Sequence, residues 1–262
     1  MSYIFINSNL LSVERHLSFA KPHLFFLTET QVSGCHDDQH YSFSSYSFYS
    51  HFQAKGGCCA YVRNDVPCSR VPQLESPEFS TLWFRLHCHS STKYICSVYL
   101  SQTIDYVKFF DYLNSKVEHI LSSSPFSEII ILGDFNVHHS LWLSSNKTDT
   151  AGELALNFAL DNHLVQLVQT PTHIPDRHGD FPNILDLFLT THPKPYSVDL
   201  LPSLGKSDHA LISVSSPIIS SDPLELPQPS ARRRLWHFGA ADWEDLRNHF
   251  FDFPWDDYCF RG

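Results

Sequence analysis

The 262-residue chain has no uninterrupted apolar stretch approaching the roughly 18 residues that suggest a membrane-spanning helix, so no span is expected. Its first residues, Met1-Ser2-Tyr3-Ile4-Phe5-Ile6, carry no basic stretch and no long apolar core, which argues against a secretory leader. No C-x-x-C pair occurs among the seven cysteines, whose odd number and irregular spacing fit reduced thiols of an intracellular protein. His87-Cys88-His89 lies in an alternating, strand-like stretch without a second ligand pair, so it reads as packing and not as a zinc site. Basic residues are scarce as well: 18 Lys and Arg against 28 Asp and Glu give a net charge of −10. Phosphate neutralisation by Lys and Arg supplies most non-specific nucleic-acid affinity, so this balance excludes a protein that grips polyanions by charge alone. It is compatible with a site that must gather carboxylates to hold a divalent cation. Distant negative charge is screened over about 8 Å at physiological salt.

What the chain does have is core material, 42% apolar and 14% aromatic, with only 18% charged residues. Wholesale disorder is therefore not expected, and the length suits one large α/β domain with a short appendage. Short β-branched or aromatic runs predict strands over 3–6, 23–27, 58–63, 81–87, 94–100, 129–132, 164–168, 184–189 and 210–214. The run at 129–132 is continuously apolar, as in a strand covered on both faces. Asp105 predicts the cap of a helix whose Val107, Phe110, Leu113, Val117 and Ile120 recur at helical steps. A second helix is expected over 150–161, with Leu154, Leu156, Phe158, Ala159 and Leu160 as its apolar surface. Many strands with few helices between them predict two sheets packed face to face with helices outside. From 216 to 230 the texture becomes Pro- and Ser-rich, which reads as a linker. Arg232-Arg233-Arg234 follows, and then a short amphipathic helix from Asp242 to near Phe251. The domain expected is thus 1–215, with 216–262 as linker and helix.

Chemistry concentrates at a few places. Ile129-Ile130-Ile131-Leu132-Gly133-Asp134-Phe135-Asn136 sets a carboxylate and an amide on one side of the turn that ends a buried strand. Taken bare, Gly, Asp and Asn are also ordinary turn formers. Gly205-Lys206-Ser207-Asp208-His209 brings an acid and an imidazole to the start of an apolar run, where a plain loop is the competing reading. Glu29 emerges directly after Leu24-Phe25-Phe26-Leu27-Thr28, a position open to a simple solvated edge. Asp186 is flanked by Ile184, Leu185, Leu187 and Phe188, where a carboxylate is costly unless paired or coordinated. Tyr99 sits in Val98-Tyr99-Leu100, where most tyrosines only pack.

The order of these residues resembles the endonuclease/exonuclease/phosphatase superfamily, which includes apurinic endonucleases, DNase I-like nucleases and inositol polyphosphate phosphatases. That pattern is an Asn near the start, a Glu after the next strand, and a mid-chain Tyr. Gly-Asp-x-Asn, a later Asp and Ser-Asp-His follow. Here these are Asn7, Glu29, Tyr99, Gly133-Asp134-Phe135-Asn136, Asp186 and Ser207-Asp208-His209, spanning roughly 3–215. The first motif departs from it: Asn9 stands where some relatives have Asp, and no Gly follows. Val137-His138-His139-Ser140-Leu141-Trp142, Pro171-Thr172-His173 and the tail Arg232-Arg233-Arg234-Leu235-Trp236 are similar to the endonucleases of non-LTR (LINE-type) retrotransposons.

The resemblance implies a four-layer α/β sandwich of two mainly antiparallel, mixed sheets flanked by helices. It implies hydrolysis of a phosphodiester with Mg²⁺, or Mn²⁺ in its place. Asn7, Tyr99, Asp134, Asn136, Asp186 and His209 would be catalytic, and Glu29, Asn7 and Asp208 would hold the metal. His138, Trp142, Thr172 and Ser207 would meet the substrate. DNA would be that substrate, the 3′-hydroxyl of the nick would prime reverse transcription, and a reverse transcriptase domain would normally follow in cis. Action on chromosomal DNA would place the protein in the nucleus. Two alternatives stand beside this: a phosphatase or phospholipase of the same fold acting on a phosphoester such as an inositol phosphate, and an inactive binding module derived from a retroelement.

Overall fold

The computed structural model describes residues 1–7, 13–30, 42–51, 56–88, 92–175, 181–205, 207–216 and 243–252. Contacts divide the chain into two units, Met1–Ser221 and Asp222–Gly262. In the second, the described part is one helix, Trp243–Asp252, beginning a residue after the expected Asp242.

The first unit contains twelve strands among its described residues. One sheet is built from β1 (Ser2–Asn7), β2 (Leu24–Thr28), β3 (Tyr46–His51), β4 (Cys58–Arg63), β11 (Ser197–Leu201) and β12 (Leu211–Ser215), in the order β11-β12-β1-β2-β4-β3. The other takes β5 (Cys68–Arg70), β6 (Ser80–His87), β7 (Thr92–Tyr99), β8 (Glu128–Asp134), β9 (Val165–Gln166) and β10 (Asp186–Thr190), in the order β5-β6-β7-β8-β10-β9. Each sheet has one parallel pair, β1 with β2 and β7 with β8, and antiparallel pairs elsewhere.

Alternation along the strands decides which face meets which layer. In β2, Leu24 and Phe26 join the large core between the sheets, while Phe25 and Leu27 turn to the other side. There they meet Val13 and Leu17 of α1 (Val13–Ala20), so α1 forms an outer layer. Between the sheets Phe26 meets Phe84 edge-on at 5.9 Å and Tyr3 approaches Phe188 at 6.2 Å. Burial of side chains of this size is worth about 1.5–3 kcal/mol each, which makes this layer the main source of cohesion. On the far side α2 (Tyr106–Ser123) is tied to the second sheet through its Tyr112 hydroxyl, which accepts from Trp83 Nε1 at 3.0 Å. α3 (Thr150–Asp161) packs on α2, with Phe110 and Phe158 5.7 Å apart. The result is the expected four-layer α/β sandwich.

Local details follow the chemistry of the sequence. Asp105 caps α2 by accepting from Lys108 N at 3.1 Å, and Asp149 caps α3 by accepting from Gly152 N at 2.7 Å. The buried face of α2 is Phe109, Phe110, Leu113, Val117 and Ile120; Val107, expected on that face, is exposed. Leu160 of α3 is exposed too. The strand expected over 164–168 shortens to two residues, because Leu167 N bonds Phe188 O after β9 has ended and Gln166 turns its side chain back onto Val168. No described helix is long and apolar enough to cross a membrane. Cys58, Cys59, Cys68, Cys88 and Cys96 are free thiols.

Candidate active site

β8 carries a fully buried run to one pole of the sandwich and ends in Asp134. The preceding Gly133 has φ +131°, and a Cβ there would lie 2.0 Å from the Val98 carbonyl oxygen of β7. Only glycine fits, so it allows the strand to remain paired while the turn begins. Asn136 sits in the left-handed region (φ +49°), which asparagine tolerates well. From there its backbone N–H donates to Asp134 Oδ1 and its Nδ2 to Asp134 Oδ2, both at 3.1 Å, while Nδ2 also reaches the Leu100 carbonyl. Asn136 therefore fixes the orientation of Asp134.

Strand register aligns the neighbours. Tyr99 of β7 and Asp186 of β10 are the cross-strand partners of Asp134 on either side. Asp186 is fully buried and its Oδ2 lies 2.6 Å from His209 Nδ1. Ligand atoms of Asp134, Asp186 and His209 all fall within 4.8 Å of one another. From the other sheet, Glu29 follows β2 directly, with φ +52°, and is hydrogen-bonded to the Tyr99 hydroxyl. Asn7 ends β1 with Thr28 as its β2 partner, which places its backbone one strand away from the Glu29 turn. Gly56 lies under the Tyr99 ring, where a Cβ would come within 2.8 Å. The two sheets thus contribute to one pole.

The electrostatics are those of crowded acids. Burial drives the Asp134 carboxyl well above the ordinary carboxylate range, and the charges of Asp186 and Glu29 push the same way, against His209 and the Asn136 N–H. For His209, burial disfavours the imidazolium, but the Asp186 charge and hydrogen bond, with Asp134 and Asp208 behind, outweigh it and raise the ring to about 9. Burial and then the Glu29 and Asp134 charges keep the Tyr99 phenol protonated. Asp186 Oδ1 is buried without a hydrogen-bond partner. An orphaned carboxylate oxygen beside two further carboxylates is an oxygen-rich donor set of the kind hard divalent cations take, so the residues fit Mg²⁺ or Mn²⁺.

The remaining expected residues divide. Ser207 accepts from the His209 N–H at 3.1 Å and shapes the turn that delivers the imidazole. Asp208 is exposed and paired with His173 Nε2 at 3.2 Å; it groups with His173 and His209, not with Asp134 and Asp186. Thr172 is fully buried, and its hydroxyl accepts from the Leu185 and Asp186 N–H groups at 3.1 Å. It therefore holds the backbone that carries Asp186. His138 is partly buried, its pKa lowered by burial and then by Lys147, and it faces Asn183 and His173. Trp142 is half-buried against the core, edge-on to His139 at 6.5 Å, with its backbone N–H donating to His139 Nδ1. His173 was quoted in the sequence as part of Pro171-Thr172-His173 but was given no role of its own. Its position beside Thr172 was the available signal, and only the bridge from His173 to His209 brings it to the site.

Residues 93–213, covering the Tyr99-to-His209 part of this site, match the family described as Endonuclease-reverse transcriptase. Solved structures with the same fold include the endonuclease domain of TRAS1, a telomere-specific non-LTR retrotransposon. It is 14% identical with a TM-score of 0.64, over 82% of this chain and 97% of that one. The AP endonuclease LMAP from Leishmania major aligns at 15% identity and TM-score 0.62 over 81% and 87%. The 3′-5′ exonuclease NExo from Neisseria meningitidis aligns at 16% and 0.60 over 82% and 99%. No curated protein matches the chain by sequence. The fold is the one these nucleases share, and within residues 93–213 the sequence resembles the family described as Endonuclease-reverse transcriptase.

Proposed function

We propose that the chain is a divalent-metal-dependent phosphodiesterase that nicks DNA, the endonuclease of a non-LTR retrotransposon. The observation that carries this reading is the convergence of Glu29, Tyr99, Asp134, Asp186 and His209 at one pole from two different sheets. Glu29 and Asn7 would hold the cation. When bound, the cation supplies Lewis-acid stabilisation of the charge developing on the phosphate. Asp134, held by Asn136, accepts a proton from the attacking water; a carboxyl raised above the ordinary carboxylate range is a stronger base for that task. His209, kept as imidazolium by Asp186, donates to a non-bridging phosphate oxygen. Tyr99 offers its phenol proton to the same phosphate or to the leaving oxygen. His138 and Trp142 lie in the loop after Asn136 and are assigned to the DNA flanking the scissile bond. Cleavage leaving a 3′-hydroxyl would serve a reverse transcriptase joined in cis, in the nucleus.

Mapping the product tests this. A supercoiled plasmid incubated with Mg²⁺ is expected to yield open circles that a DNA polymerase extends directly. Ends that need dephosphorylation before extension would reject the priming role. The acidic balance of the chain favours a second reading, a phosphoesterase acting on a small head group. Phosphate released from inositol phosphates with plasmid left intact selects it.

A further inference from the structure

His209 belongs also to a second donor set, of different chemistry from that of Asp134 and Asp186. His173, Asp208 and His209 each offer one ligand atom, all within 4.8 Å of one another. We propose that these three residues form a second cation site, selective for a transition metal such as Zn²⁺, and that filling it withdraws His209 from the phosphate.

Three observations carry the proposal. First, the donor types differ between the two clusters. The first cluster sets the two carboxylates of Asp134 and Asp186 around His209, whereas the second sets two imidazoles and one carboxylate together, a donor set that suits Zn²⁺. Second, the spacing is already near that of ligands on one ion. His173 Nε2 and Asp208 Oδ2 are 3.2 Å apart, and Zn–N and Zn–O bonds of about 2.0–2.1 Å in a tetrahedron separate neighbouring donors by about 3.3 Å. The His173 and His209 rings stand 5.0 Å apart, tilted by 54°. Third, the outer partner is in place. His209 engages Asp186 through Nδ1 at 2.6 Å, the carboxylate–histidine arrangement that fixes a metal-ligating ring and leaves Nε2 as its donor.

The backbone holds this set in register. His173 bridges to both Asn183 and His209, and Ala210 N donates to Thr172 O at 2.7 Å. His173 is partly open and Asp208 is exposed to solvent, so an ion can enter. Nε2 of His209 can carry a proton or bind the metal, but not both. Zinc there removes the donor that the hydrolytic reading assigns to the phosphate. That consequence rests on the proposed function; the binding does not.

The test uses the untagged full chain, stripped with EDTA and kept in excess Mg²⁺. Zinc affinity is measured by competition with a chromogenic chelator, and imidazole ¹H–¹⁵N spectra report which ring nitrogens respond. Wild-type protein is expected to bind zinc with shifts at Nε2 of His173 and of His209, while His209 Nδ1 keeps its proton. His173→Ala should weaken binding by at least roughly tenfold, the lower limit for losing even an outer partner. Asp134→Asn should bind as wild type does. Absence of zinc binding, or binding indifferent to His173→Ala, overturns the proposal. If binding follows His173 but zinc leaves the rate of plasmid nicking unchanged, the metal site stands and His209 is not the phosphate donor.

Discussion

β8 buries an acid at each of its ends, and the two are treated in opposite ways. At its start Glu128 is saturated: Lys93 Nζ lies 2.9 Å from Oε2, and the hydroxyls of Tyr196 and Thr190 donate to Oε1 at 2.6 and 2.9 Å. Lys93 in turn donates to the Tyr196 hydroxyl at 2.8 Å, so the group closes on itself. At its end Asp134 faces Asp186 and Glu29, and the cation among its neighbours is an imidazolium whose charge is itself titratable. A buried charge with a full set of partners specifies structure. A buried cluster of acids in excess of its cations keeps a demand for an ion and for protons, which is what a hydrolytic site has to supply.

The sharpest way to break this comparison is to remove the imidazole. His209→Ala is expected to lower plasmid nicking by about 10²- to 10⁴-fold, the range for a positioned acid or base, with an unchanged circular dichroism spectrum. Full activity would unseat the assignment. Next in size is the structural end. Glu128→Gln leaves Lys93 buried without its counter-charge and should cost about 3–5 kcal/mol in chemical denaturation. Asp134→Asn relieves repulsion in metal-free protein and should cost nothing, or stabilise by about 0.5–2 kcal/mol. A smaller effect concerns pH. His209 is raised from 6.5 to about 9 in the folded protein, so its contribution to stability is fully present below 6.5 and is lost as pH rises through 9. Metal-free wild type should therefore lose stability over that window, and Asp186→Asn should flatten the slope; parallel pH profiles would show that Asp186 does not hold the proton. Smallest is the response to metal: Mg²⁺ should raise the Tm of wild type by a few degrees and that of Asp134→Asn by less.

The same contrast between centre and margin explains what was legible in the sequence. Interior strands announced themselves, since β2, β4, β7, β8 and β10 must be apolar to be covered. All four edge strands were the difficult ones. β3, β5 and β11 went unrecognised, and β9 was drawn too long. An edge strand pairs on one side and stays partly wet, so Tyr46-Ser47-Phe48-Tyr49-Ser50-His51 or Ser197-Val198-Asp199-Leu200-Leu201 needs little apolar continuity. The site followed a similar rule. Gly133-Asp134-Phe135-Asn136 and Ser207-Asp208-His209 could be read because their geometry is local. The bonds of Thr172 to Leu185 and Asp186 cross 13 and 14 residues, and the approach of His173 to Asp208 crosses 35, so spacing along the chain does not reveal them.

The most direct measurement sets Asp134→Asn against Glu128→Gln in Mg²⁺-dependent nicking, at a temperature where denaturation curves show both variants folded. A rate at least about 100-fold down for Asp134→Asn, with near wild-type turnover for Glu128→Gln, is the expected result. Equal rates in the two variants would mean that the acid at the end of β8 is no more chemical than the acid at its start.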